Sequence, residues 1–210
     1  MFNIIFLIII LFNYSVINFS VFIGTRFEYV SFFFQEREVV TFVSAVQLAL
    51  TSCLAICVYA IGKVLYKKNA SHLKEMKVWL VSALVFGFCA LDEYFMMHEG
   101  IDGGIATIFL GKTDNPHLDG LTLAVYLVIA LFVFLKFRKE ILKHKRAFGL
   151  FCMGGFLFLL SIILDIKSIN SFRIILEESA KLMAVAFFFL GHISVLSDYL
   201  EMLEKRLKKK

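Results

Sequence analysis

The stretch Lys136–Ile166, KFRKEILKHKRAFGLFCMGGFLFLLSIILDI, decides the fold class. Its first part places Lys136, Arg138, Lys139, Lys143, Lys145 and Arg146 within eleven residues, and its second runs from Ala147 to Leu164 without a charge. Wound as a helix, that uncharged run is about 27 Å long, close to the ~30 Å hydrocarbon core of a bilayer. A dense basic connection against an uncharged block is the pattern of a membrane helix whose cytoplasmic end is marked.

Reading outward in both directions, five further blocks repeat the pattern: Ile4–Gly24, Val39–Gly62, Val78–Met97, Leu118–Leu135 and Ile174–Leu196, beside Ala147–Ile166 itself. The 210 residues are 60% hydrophobic with a mean hydropathy of +0.83, more apolar surface than one soluble core of this size can bury. The expected class is therefore all-α, an integral membrane bundle of about six transmembrane helices. It forms one polytopic domain over residues 1–196, followed by a basic amphipathic tail over 197–210. No internal repeat breaks that domain.

The net charge of +5 does not point to nucleic acid, because the basic residues sit in short connections between apolar blocks. One group is Lys63, Lys67, Lys68, Lys74 and Lys77, the second is the Lys136–Arg146 run, and the third is Lys205, Arg206, Lys208, Lys209 and Lys210. The opposite connections carry Arg26, Arg37, Lys112, Lys167 and Arg173, so the two sides compare as sixteen to five, with Lys181 inside the last block. Both termini are thus expected in the cytoplasm, with the basic segments against anionic headgroups. Leu196, Tyr199, Leu200, Leu203 and Leu207 recur at helical spacing, so the tail should prolong the last helix along those headgroups or dock a protein partner.

The first block is expected to be retained rather than cleaved, since no basic residue precedes it and no small-x-small site follows. Cys53, Cys57, Cys89 and Cys152 fall inside apolar blocks and read as packing residues. Phe27, Tyr29, Phe32, Phe33 and Phe34 crowd the first outer connection like an interfacial aromatic belt. The longest connection, His98–His117, is expected to dip into the interface or fold over a site.

Ionisable residues within apolar blocks cost about 2.5–3.5 kcal/mol each even on lenient insertion scales, so each needs a reason. Block three ends in Asp92, Glu93, His98 and Glu99, block five in Asp165, and block six opens with Glu177, Glu178 and Lys181. The topology puts all of them at one depth, on the non-cytoplasmic side. On a continuous helix Asp92 and Glu99 nearly superpose, with His98 and Asp102 on the same side and Glu93 turned away toward a Tyr, Ser or Arg of another helix. Gly154, Ser161 and Asp165 share a face of the fifth helix that should look inward. His192 lies deeper on the polar stripe of the sixth helix and reads first as a hydrogen-bonded bundle residue, and Thr41, Ser44, Gln47 and Thr51 as interhelical hydrogen-bond donors.

Such a cluster is over-supplied with acid, and three remedies imply three functions. A divalent metal such as zinc on Asp92, His98, Glu99 and Asp165 would activate water for hydrolysis. Glu177, Glu178 and Glu99 as metal-free acid and base would give glutamic-type catalysis. Carboxylates and His trading protons would suit a transporter or channel. Against these stands a structural or partner subunit, assembling with another membrane protein or as a homo-oligomer, in which Lys181 pairs with Glu177 and Glu178.

Leu91-Asp92-Glu93, His98-Glu99 and the later Glu177-Glu178 with Lys181 resemble a family of small bacterial polytopic membrane proteins without assigned function, which implies a bacterial cytoplasmic membrane and no particular chemistry. Glu177-Glu178-x-x-Lys181 and Phe95-x-x-x-Glu99 are also similar to motifs of the PrsW-type and CPBP-type intramembrane proteases, with the two elements in reversed order and no His-x-x-x-Asp or His-x-x-x-Asn helix. That similarity implies a water-activating role for the paired Glu.

Overall fold

A computed structural model describes residues 2–26, 33–34, 38–67, 69–110, 121–165 and 171–208. The side chains of Glu99, Asp102, Asp165 and a few neighbours lie outside what is described. The described residues form eight helices and no strand: α1 Phe2–Arg26, α2 Val39–Leu65, α3 Ala70–Glu75, α4 Lys77–Phe95, α5 Met97–Leu110, α6 Leu121–Lys143, α7 Lys145–Asp165 and α8 Ser171–Leu207. Five stretches among them are long and apolar enough to cross a membrane, namely Phe2–Arg26, Val39–Leu65, Ala70–Phe95, Lys145–Leu164 and Phe172–Leu207. α6, expected as a sixth, is not one of the five. Its apolar part ends at Leu135, and around a kink at Phe137 it carries Lys136, Arg138, Lys139, Glu140 and Lys143 in quick succession.

Three expected boundaries shift for local reasons. The third block stops at Phe95 because Met96 adopts left-handed backbone (φ 58°, ψ 40°), which ends α4 and turns the chain into α5. The connection from His98 therefore begins as a 14-residue helix of about 21 Å, too short to cross, while residues 111–120 lie outside the described set. The last block extends through the tail as one 37-residue helix, α8.

α8 is the axis of the bundle, packed by α7, α2 and α1, while α4 packs chiefly on α2 and reaches α8 through side chains. Close approach of α7 to α8 depends on small residues. A Cβ on Gly154 would stand 3.1 Å from the Ala184 carbonyl oxygen and 3.0 Å from the Phe188 ring, and one on Gly191 would strike the Phe151 ring. Gly154 and Ser161 are both buried. The outside is greasy, as a lipid solvent requires: on α1, Ile4, Leu7, Ile8, Phe19 and Phe22 are all more than half exposed.

Two apolar clusters mark the bundle's ends. Val58, Leu65, Met76, Trp79, Phe137, Ile141, Ala147, Val195 and Tyr199 gather the end of α2, the starts of α4 and α7, the end of α6 and the C-terminal half of α8. All three basic segments emerge here, and the Arg146 guanidinium lies 4.9 Å from the Phe2 ring centroid, bringing the start of α1 to the same end. At the opposite end Phe34, Val40 and Leu182 pack with Val16, Ile17, Val21 and Ile174. The charged residues of α4 and α8 lie toward this second, acidic end.

Candidate functional site

At the acidic end, Lys181 of α8 sits between two carboxylates. Its Nζ is 2.6 Å from Glu178 Oε1, one helical turn away, and 3.4 Å from Glu93 Oε1 of α4. Ser44 of α2 donates its Oγ–H to the same Glu93 oxygen at 2.6 Å. All four side chains are buried, so the group is a three-helix polar knot in apolar surroundings. Glu93 is thereby central, and the partner is the kind of serine the sequence left room for. The second oxygen of Glu178, Oε2, is buried and has no hydrogen-bond partner among the described residues.

Beside the knot, the chain reversal at Met96 produces a compact dyad. The His98 backbone N–H donates to Asp92 Oδ1 at 2.7 Å, and His98 Nδ1 lies 3.1 Å from Asp92 Oδ2. Asp92 thus caps the first turn of α5 and orients the imidazole. The two residues meet across a corner between two helices. This corrects the expectation that one continuous helix through Asp102 aligns them. The His98 ring is close enough to act electrostatically on Glu178, which ties dyad and knot into one centre.

The other expected site residues fall in different places. Glu177 is half-buried on α8 beside the knot. Glu99 and Asp165, expected as metal ligands with Asp92 and His98, have side chains outside the described set. Among the described residues, no three His, Cys, Asp or Glu side chains surround a position fit for a metal ion. His192 is remote from the centre. Its Nδ1 is 2.8 Å from the Phe188 carbonyl oxygen and its Nε2 is 2.8 Å from Ser82 Oγ, within a box of Trp79, Phe86 and Phe151 rings. Donation from Nδ1–H to the carbonyl leaves Nε2 to accept from Ser82, which satisfies a neutral ring. Of the expected α2 donors, Ser44 and Gln47 are helix ties, Gln47 donating to Asn13 Oδ1 at 2.8 Å to join α2 to α1, whereas the Thr51 hydroxyl donates to the Gln47 carbonyl of its own helix at 2.7 Å.

One polar centre escaped the sequence reading altogether. At the basic end, beyond the apolar part of α6, Glu140 is fully buried and receives the Tyr199 hydroxyl and the Lys143 ammonium. His144, the corner residue between α6 and α7, places Nδ1 2.6 Å from Asp198 Oδ2, with Nε2 3.8 Å from Glu140. Burial pushes the Glu140 carboxyl up, but His144, Lys143 and Tyr199 around it outweigh burial and hold it at about 2. For His144 burial acts downward, and the hydrogen bonds and charges of Glu140 and Asp198 raise the imidazole above its usual value nonetheless. The available signal was Glu140 itself, the lone acid between Lys136 and Arg146.

A family model matches residues 4–195, nearly the whole bundle. The chain belongs to DUF8692, a domain of unknown function. No curated protein and no solved structure matches it. The DUF8692 match fits the resemblance to an uncharacterised membrane-protein family, and it carries no link to the PrsW-type or CPBP-type proteases. The matched span takes in the whole acidic-end centre and Glu140, Lys143 and His144 of the other, and stops within α8 just short of Asp198 and Tyr199.

Proposed function

We propose that this DUF8692 protein is a multi-pass protein of a cytoplasmic membrane, with six spans and both termini inside, whose outer centre binds and releases a proton in the service of transport. One observation carries this reading: two buried carboxylates, Glu93 and Glu178, share the single ammonium of Lys181, while Glu178 Oε2 has no partner among the described residues. With both carboxyls ionised the knot holds two negative charges against one positive in a medium that tolerates none well. A proton on Glu178 cancels the excess and gives Oε2 a hydrogen to share. Such a group changes charge without changing its packing, as a coupling site requires. The Asp92–His98 dyad stands beside it as the proton's route to the outer face, its imidazole being the side chain suited to relay near neutral pH.

Our count of six spans is supported by the basic end gathering all three Lys/Arg-rich connections and the start of α1, with α6 read as returning the chain to that end. The test is proton flux in proteoliposomes, read by an entrapped pH dye under an imposed gradient. Wild type should conduct, and Glu178→Gln should abolish flux while helix content and thermal unfolding stay near wild type. Absence of flux in wild type under gradients of both signs, with Glu178→Gln altering only stability, would assign the knot to bundle assembly.

A further inference from the structure

At the basic end a groove of about 340 Å³ opens between the tail of α8 and the α6–α7 corner, a volume within the range of small-molecule clefts. Tyr66 from the end of α2, Lys143 and His144 from the corner, and Asp198, Glu201, Met202 and Lys205 from α8 line it. The α8 residues fall at i, i+3, i+4 and i+7, one helical stripe turned into the groove. Its charges are of both signs and nearly balanced. Lys143, His144 and Lys205 oppose Asp198 and Glu201, with Glu140 behind Lys143 as a further acid. His144 closes the top through Asp198, with its Nε2 buried and turned to Glu140 Oε1 at 3.8 Å. Burial works against the charged ring, but Glu140 and Asp198 together favour it, so His144 places positive charge behind the groove between those two acids.

A groove with both signs in one cavity prefers a dipolar ligand to a simple anion, because a lone anion would meet Asp198 and Glu201 as well as the cations. It lies beyond Leu65 and the apolar part of α6, at the level where headgroups meet the basic connections. Tyr66 and Met202 offer an amphipathic wall for the glyceryl part of a lipid.

We infer that this groove binds the headgroup of a phosphoethanolamine lipid of the inner leaflet, its phosphate on Lys143 and Lys205 and its primary ammonium on Asp198 and Glu201. The chemistry distinguishes this lipid from two neighbours. A phosphocholine headgroup has no N–H to donate to the acids, and a phosphoglycerol headgroup has no cation for them. The inference is independent of proton flux at the outer centre.

The experiment uses the full chain in nanodiscs of phosphatidylcholine carrying a minor share of either phosphatidylethanolamine or phosphatidylglycerol. Lipids retained after transfer to detergent are counted by native mass spectrometry. Phosphatidylethanolamine should be retained preferentially, and Glu201→Lys or Lys205→Glu should each lower its retention roughly tenfold, the effect of losing one charge-assisted hydrogen bond. Both positions are exposed, so unfolding in detergent without added lipid should match wild type. Equal retention of all three lipids, preference for phosphatidylglycerol, or retention unchanged in both variants would overturn the proposal. Displacement of the lipid by soluble phosphoethanolamine at low concentration would assign the groove to a free ligand instead.

Discussion

At the acidic end of α8 one lysine, Lys181, serves two carboxylates, Glu93 and Glu178. At the basic end one carboxylate, Glu140, serves Lys143 and Tyr199 with His144 close by, while Asp198 takes the other side of that imidazole. Both centres are assembled from helices distant in sequence, and both use Glu, Lys and His. They differ in balance. The acidic-end knot sets two carboxylates against one lysine and leaves Glu178 Oε2 without a hydrogen-bond partner among the described residues, whereas the basic-end centre surrounds its buried acid with donors. Excess charge in a dry place makes a group that responds to protons, and a satisfied network makes a clamp. The inner clamp joins the α6–α7 corner to the tail of α8, and Arg206 adds a bond to the last-turn carbonyl of Leu65 on α2. One helix therefore carries a charge-imbalanced end and a satisfied end.

The comparison can be broken most easily at Lys181. Its replacement by Met leaves Glu93 and Glu178 facing each other in the bundle without a counter-charge, a loss of about 3–5 kcal/mol read by thermal unfolding in detergent. A cost below about 1 kcal/mol would mean that the knot is hydrated and not a buried ion group. Glu140→Gln should cost less, about 2 kcal/mol, because it weakens charged hydrogen bonds but leaves Lys143 able to reach solvent.

The same clamp sharpens the comparison through pH. Glu140 sits at about 2 against an ordinary 4.5, so its stabilisation is present above 4.5 and fades as pH falls toward 2. His144 is raised from 6.5, so its stabilisation is present below 6.5 and fades as pH rises through its folded value. Unfolding temperature against pH should show both limbs, with Glu140→Gln flattening the acid one and His144→Gln the alkaline one. Identical profiles in wild type and variants would remove the clamp. The smallest effect is expected at the corner beside the outer centre. Met96→Gly relieves a left-handed backbone and should stabilise by about 1 kcal/mol. Destabilisation there would show that side-chain packing, not the backbone, sets the turn into α5.

Much of the bundle was legible because hydropathy is a local property. A run such as Ala147–Leu164 needs no partner to be apolar, and the basic runs beside such blocks mark one end without reference to packing. The outer centre was legible in its residue types, since Asp92, Glu93, His98, Glu178 and Lys181 each stand out against apolar neighbours. Its geometry was not. Helical periodicity rightly turned Glu93 toward another helix, where Ser44 meets it, but carried through Met96 it put Asp92 and His98 on one continuous helix, whereas the left-handed residue ends that helix and the corner itself brings His98 to Asp92. The inner centre stayed hidden because Glu140 and His144 lie in a run that reads as a topology signal, while Asp198 and Tyr199 are more than fifty residues further along.

By itself, then, the sequence determined an all-helical chain with membrane-length apolar blocks, a basic end and an acidic end, because block length, hydropathy and charge placement act residue by residue. Only the tertiary structure decided that Ser44 completes Glu93, that Lys181 divides itself between two acids, and that Tyr199 and His144 enclose Glu140. Those choices depend on how α2, α4, α6 and α8 approach one another, and close approach is set by residues as inconspicuous as Gly62, where a Cβ would collide with Met76, and Gly154 against Ala184.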